Sequence, residues 1–214
     1  MARKRVAVLI SGRGSNMVAL IEAAKDTAYP AEIVLVLSND PAAAGLQRAA
    51  AAGIPTAVVD HKTFGKDRQA FERALQGELE RHRIELVCLA GFMRLLTPWF
   101  VRQWQGRLLN IHPALLPAFK GLDTHARAIA AGVKEHGATV HFVVPEMDSG
   151  PIVVQDVVPV RANDTEAELA ARVLAVEHRI YPLALKLVAE GRVTIEGGRC
   201  LIDGKPVALA SSAK

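Results

Sequence analysis

RVAVLISGRGSNMVALIEAAK, residues 5–25, passes through three kinds of sequence in quick succession. Residues 5–11, RVAVLIS, are strand-like, and residues 16–25, NMVALIEAAK, carry apolar side chains at helical spacing. Between them SGRGSN supplies Gly12 and Gly14. Glycines at a strand-to-helix junction let backbone N–H groups approach an anion at the positive end of the helix. Ser15 is placed to cap that helix or to donate to a phosphate oxygen, and Arg13 adds positive charge. A dinucleotide fingerprint needs a third glycine at position 17, where Met17 stands. The loop therefore suits a single phosphate better than NAD, and it equally suits a tight turn with a serine cap.

The same alternation continues outward. Strand-like runs fall at residues 32–38, 56–60 and 84–91, with helical patterns at 42–53 and 64–83 between them. The last strand, IELVCLAG, is continuously apolar, as expected of a strand buried on both faces. This order predicts an α/β fold: a mainly parallel Rossmann-like sheet with helices on both faces. In the C-terminal half, a helix near 124–131 precedes two apolar runs, 138–144 and 151–160, joined through PEMDSG. These read as an antiparallel pair of strands. Residues 164–191 form a long helix capped by Asp164 or Thr165, and a small hairpin and disordered tail follow from Arg192. With no repeat and no linker, 1–214 reads as one domain. Its first half is about 1–100 and its second about 101–192.

Composition narrows the partners. The net charge is +4 and the pI about 9.3, yet Lys and Arg are scattered beyond Arg3-Lys4-Arg5 and only 5% of residues are aromatic. Nucleic-acid binders carry a basic patch or stripe; a small phosphorylated ligand fits this balance instead. No apolar run approaches the roughly 18 residues of a membrane span, and the short run after MARKR reads as a strand rather than a signal peptide. Cys88 and Cys200 provide neither a disulfide framework nor metal spacing, which fits a reducing cytoplasm. His136 and His141 are not spaced as zinc ligands, so no metal is expected. No G-x-S-x-G elbow supports a serine hydrolase.

LLNIHPALLPAFKG, residues 108–121, concentrates the chemistry. On an extended strand Asn110 and His112 point to one face, and Pro113 stops the ladder. In a parallel sheet such a strand end opens into the crevice where ligands bind. An amide beside an imidazole suits a developing oxyanion, and a carboxylate is needed to orient the ring. Asp148, in PEMDSGP, is the best candidate. Taken singly, His112 also fits a residue satisfying a backbone group, and Asp148 a turn residue before Gly150. His125 and His141 fit either the same crevice or hydrogen bonding within the fold.

Together SGRGSN, AGFMRLL, LLNIHPALLPAFKG and HFVVPEMDSGPI, in order, resemble the folate-dependent phosphoribosylglycinamide formyltransferases of purine biosynthesis. The resemblance implies transfer of a formyl group from 10-formyltetrahydrofolate, as co-substrate, to the amino group of glycinamide ribonucleotide. Asn110, His112 and Asp148 match the family's catalytic Asn, His and Asp. Asn110 and an imidazolium His112 would hold the oxyanion; Asp148 would raise the His112 pKa and help move the amine's proton to the folate nitrogen. Gly12, Arg13, Gly14, Ser15 and Asn16 would hold the ribonucleotide phosphate, with Arg107 assisting, and Glu177 would contact the glycinamide ribonucleotide. Arg68, Met93, Arg94, Leu95 and Leu96 match folate contacts. Leu89, Leu95, Leu96, Phe100, Val101, Leu108 and Val143 would wall the pteridine, while the backbones of Leu96, Val144 and Glu146 read its polar edge. For these apolar residues a plain core role is equally compatible.

Two positions depart from the pattern. Leu174 stands where members often carry a polar residue, and Asp123 where some carry His. Three other readings compete: methionyl-tRNA formyltransferase, which needs a tRNA-binding C-terminal domain; a formyltetrahydrofolate hydrolase with a regulatory domain; and a non-catalytic nucleotide-binding module, which leaves Asn110, His112 and Asp148 without a role. The expected partners are small molecules, without nucleic acid or membrane, for a monomer or homodimer. Residues 114–124, bracketed by Pro117 and Gly121, are a candidate lid.

Overall fold

The computed structural model describes residues 2–209, and the chain divides into two compact units between Asn110 and Ile111. The first unit runs β1 (Lys4–Ile10), α1 (Ser15–Ala24), β2 (Ala31–Ser38), α2 (Ala44–Ala51), β3 (Thr56–Val58), α3 (Arg68–Arg81), β4 (Leu86–Leu89) and α4 (Pro98–Gln103), and the boundary falls within β5 (Leu108–His112). β1 lies between β2 and β4, parallel to both; β2 pairs parallel with β3, and β4 with β5. Val6 through Ile10 are wholly buried. A strand in the middle of a parallel sheet is covered on both faces, so its sequence cannot alternate with polar residues.

The expected helix at 64–83 begins later. Residues His61–Phe64 form a 3-10 turn, Gly65 takes φ 56°, and Asp67 caps α3 by accepting from Ala70 N at 2.9 Å. Phe71, Leu75 and Leu79 then recur every four residues on one buried face, worth roughly 1.5–3 kcal/mol each in transfer free energy. α4 was not foreseen. Its signal is Pro98 at the first turn, where the missing N–H costs nothing.

The second unit holds α5 (Thr124–Ala130), β6 (Glu135–Phe142), β7 (Ile152–Pro159), α6 (Glu166–Ala189), β8 (Val193–Glu196), β9 (Arg199–Ile202) and β10 (Lys205–Pro206). β6 and β7 are antiparallel, as the two apolar runs predict. α6 packs against both strands. Thr165, rather than Asp164, caps it: Thr165 Oγ1 accepts from Glu168 N, and Glu168 accepts from Thr165 N at 2.8 Å. Asp164 instead pairs with Arg172. The expected hairpin is a three-stranded antiparallel sheet, β10-β9-β8, and the expected tail beyond 209 falls outside the described residues.

The main sheet has seven strands in the order β3-β2-β1-β4-β5-β6-β7. It is mainly parallel, as the sequence predicts. Among the described residues, no helix is long and apolar enough to cross a membrane.

Candidate active site

β5 is the strand on which the chemistry sits. Its burial pattern leaves Asn110 half-exposed, whereas His112 is 5% exposed. After Pro113 the chain turns back, and Thr139 on β6 holds the turn. Its hydroxyl donates to Ala114 O at 2.6 Å and accepts from Leu116 N at 3.1 Å; Gln155 on β7 donates to Leu116 O at 2.7 Å. The turn brings Phe119, at φ 51°, close enough for its carbonyl to lie 3.0 Å from His112 Nε2.

Asp148 reaches the other ring nitrogen. Its Oδ2 lies 3.5 Å from His112 Nδ1 and accepts from Gly121 N at 2.8 Å. Its Oδ1 lies 3.8 Å from Nε2 of His141, whose Nδ1 is 2.9 Å from Phe142 O. Asp148 takes a left-handed backbone, φ 49°, an outcome that Asp tolerates better than most residues. A register shift in the β6–β7 ladder lies at Val140/His141, the kind of irregularity that re-aims a side chain beside a site. A doubly protonated His112 would therefore donate on both sides, to a carboxylate and to a carbonyl.

The neighbouring imidazoles are kept neutral. Burial, foremost, pushes the His141 pKa down, partly opposed by the Phe142 carbonyl and Asp148. Burial likewise lowers His125. His136, 1% exposed, is pushed down to about 4, by burial first and then by His125 and His112, partly opposed by the Pro113 carbonyl. Its ring stands edge-on to Phe119 at 5.7 Å and to His125 at 5.3 Å.

A base whose pKa falls on folding binds protons more readily when unfolded. The stability His136 contributes is thus complete above about pH 6.5 and is lost as the pH falls toward 4. Over that window His136→Phe should remove up to about 1.4 kcal/mol of acid destabilisation per pH unit. Denaturant unfolding at pH 7 and pH 5 checks this; an identical pH dependence in the variant refutes it.

The glycine loop belongs to the first unit. Gly14, at φ 68°, occupies the N-cap position of α1, and no side chain caps the helix there. Ser15 is thus the first helical residue rather than the cap, since only a residue without Cβ takes this backbone freely. A Cβ on Gly14 would sit 3.2 Å from Gly45 Cα, and Gly45 N donates to Gly12 O at 2.9 Å. Gly45, in the Ala-rich α2, was missed: its role is close approach, which only packing reveals. Arg13 is exposed and Asn16 buried.

The remaining residues singled out in the sequence fall as follows. In the first unit Met93 and Leu95 are largely exposed, Arg94 and Leu96 half-buried, and Arg68 exposed at the start of α3. Leu89, Phe100, Val101 and Leu108 are buried. Arg107 is exposed, its guanidinium 4.7 Å from the Trp104 ring, and it donates to Gln103 O. In the second unit Val143 and Val144 are half-buried, Glu146 exposed, and Glu177 buried on α6. Thr139 and Gln155 were not picked out as site residues, although each shapes the surroundings of His112; His141, for which the sequence left two roles open, lies beside Asp148 and bonds to the Phe142 carbonyl.

The strand-end imidazole lies beside a carboxylate, and the chain belongs to the formyl transferase family, which it matches over residues 4–185. It is similar to phosphoribosylglycinamide formyltransferase of Escherichia coli, at 45% identity over 94% of each chain. It is 51% identical to the trifunctional purine biosynthetic protein adenosine-3 of Bos taurus over 92% of this chain, which spans only 20% of that protein. The crystal structure of glycinamide ribonucleotide transformylase 1 from Symbiobacterium toebii superposes with a TM-score of 0.90, at 44% identity and 94% coverage of both chains.

Proposed function

We propose that this chain transfers the formyl group of 10-formyltetrahydrofolate to the amino group of 5'-phosphoribosylglycinamide, a step of purine biosynthesis, as a single formyltransferase domain in the cytoplasm. The observation that carries the reading is the contact of Asp148 with His112 at the end of β5, two residues after Asn110. The amine attacks the formyl carbon, and the carbonyl electrons move to oxygen. Asn110 and His112 stabilise that oxyanion. Because Nε2 of His112 faces the Phe119 carbonyl, the oxyanion takes that carbonyl's place as acceptor. Asp148 then assists passage of the amine's proton to the folate nitrogen as the bond between that nitrogen and the formyl carbon breaks.

Within the first unit, Gly12, Arg13, Gly14, Ser15 and Asn16 hold the ribonucleotide phosphate with help from Arg107, while Arg68, Leu89, Met93, Arg94, Leu95, Leu96, Phe100 and Val101 serve the folate. Within the second, Val143, Val144 and Glu146 serve the folate and Glu177 the ribonucleotide. Both substrates are small molecules.

Folate product measured with and without the ribonucleotide tests the reading. Release only with ribonucleotide supports transfer; release without it indicates a hydrolase, and no release a binding module. Arg13→Ala or Ser15→Ala should raise the ribonucleotide KM about tenfold, the scale of one lost charge-assisted hydrogen bond. A rise in the folate KM instead would show the phosphate assignment to be wrong.

A further inference from the structure

Ser11 follows β1 and opens the glycine loop, yet its side chain faces away from any role described above. Its hydroxyl donates to Asn39 Oδ1, just beyond the end of β2, and accepts from Met93 N at 2.7 Å, beyond the end of β4. Ser11 N also donates to Gly91 O at 3.1 Å. A hydroxyl has one proton and two lone pairs. With the proton committed to Asn39, the oxygen is left as an acceptor for Met93 N–H. The carboxyl ends of three adjacent parallel strands are thereby joined through one oxygen atom.

Asn39 is itself held. It is 3% exposed, and His61 Nδ1 lies 2.8 Å from its carbonyl and 3.1 Å from its Nδ2. A carbonyl only accepts, so His61 Nδ1–H donates to it and fixes the Asn39 backbone from which the amide reaches Ser11. The arrangement has a direction: His61 holds the Asn39 backbone, Asn39 Oδ1 accepts from the Ser11 hydroxyl, and Ser11 Oγ accepts from Met93 N. A second anchor acts at the far end of the same segment. Glu72, 1% exposed on α3, accepts from Thr97 N at 2.5 Å and from the Thr97 hydroxyl. The stretch 93–97 is therefore held at each end by a side-chain acceptor, half-buried Ser11 at one and buried Glu72 at the other. At its Met93 end the acceptor belongs to the glycine loop.

We infer that Ser11 is a positioning residue, whose hydroxyl sets the glycine loop and the Met93 segment in register with each other so that both substrates are held for transfer. This rests on the assignment of those two segments to ribonucleotide and folate. Removing the hydroxyl frees one loop from the other without touching Asn110, His112 or Asp148.

The test combines kinetics with amide exchange. Ser11→Ala should raise the KM for both the folate donor and the ribonucleotide about tenfold, with kcat falling less, and should speed hydrogen exchange at the Met93 amide by a similar factor. Ser11→Thr, which keeps the hydroxyl, should restore both. Unchanged exchange at Met93 overturns the tie. Faster exchange with both KM values unchanged overturns the positioning role, and failure of threonine to rescue overturns the hydroxyl as its agent. If the wild type releases folate product without the ribonucleotide, the functional assignment fails, and exchange at Met93 then still decides whether the tie exists.

Discussion

Asp148→Asn is expected to lower kcat about a hundred- to a thousandfold while ribonucleotide affinity and folding stay close to wild type. The geometry explains why the fold survives. Oδ2 of Asp148 faces two donors, Gly121 N at 2.8 Å and His112 Nδ1 at 3.5 Å. Oδ1 faces His141 Nε2, which is the lone-pair side of a ring whose Nδ1–H donates to Phe142 O. An asparagine can keep its carbonyl oxygen toward the donors and turn its amide N–H toward His141. Burial lowers the His141 pKa, so the ring presents that lone pair at neutral pH. The variant thus retains the contacts and loses only the negative charge beside His112. Equal turnover, measured beside thermal unfolding and ribonucleotide binding, would remove Asp148 from the mechanism.

Gly150→Ala should unfold the same region without altering any reacting group. A Cβ at position 150 would stand 1.7 Å from Phe142 O and 2.8 Å from Phe142 C, atoms of the β6 backbone that cannot rotate away. Phe142 N is meanwhile bonded to Pro151 O at 2.9 Å, so the two chains cannot simply separate. Overpacking costs about 1–3 kcal/mol even when side chains can give; against backbone the loss should reach about 3 kcal/mol or more. For a chain of this size that is roughly 6–12 °C in Tm. Activity should fall as well, because Asp148 lies in the loop that would move. Gly77→Ala is the matching control. Gly77 lies within α3 with open space around its added methyl, so this change should stabilise by about 0.5–1 kcal/mol. A Gly150→Ala protein as stable as wild type would mean that the close approach at Phe142 is not required.

The strands and long helices were legible because their signals are local. Continuous apolar runs marked β1 and β4, and the Thr165–Glu168 pair marked the start of α6. Boundaries were less legible where a turn competed with the helical pattern: Gly65 and Asp67 delayed α3, and Gly14 took the cap position that Ser15 was expected to fill. α4 was missed because six residues offer too little periodicity to detect. In the candidate site, Asn110 and His112 could be read from spacing and a following proline. For His141 the sequence left crevice and internal hydrogen bonding both open, since whether it reaches Asp148 depends on a register shift in the ladder with β7.

From sequence alone came the alternation of strand and helix, the glycine turn after β1, and the placement of an amide and an imidazole on one face of a strand that a proline ends. Each follows from steric rules acting within a few residues. Only the tertiary structure decided that Asp148 meets His112, that Thr139 and Gln155 hold the returning loop, that Gly45 and Gly150 admit a close backbone, and that burial holds His125, His136 and His141 neutral. Those outcomes depend on distance and desolvation between segments far apart in the chain, and no local pattern carries either quantity.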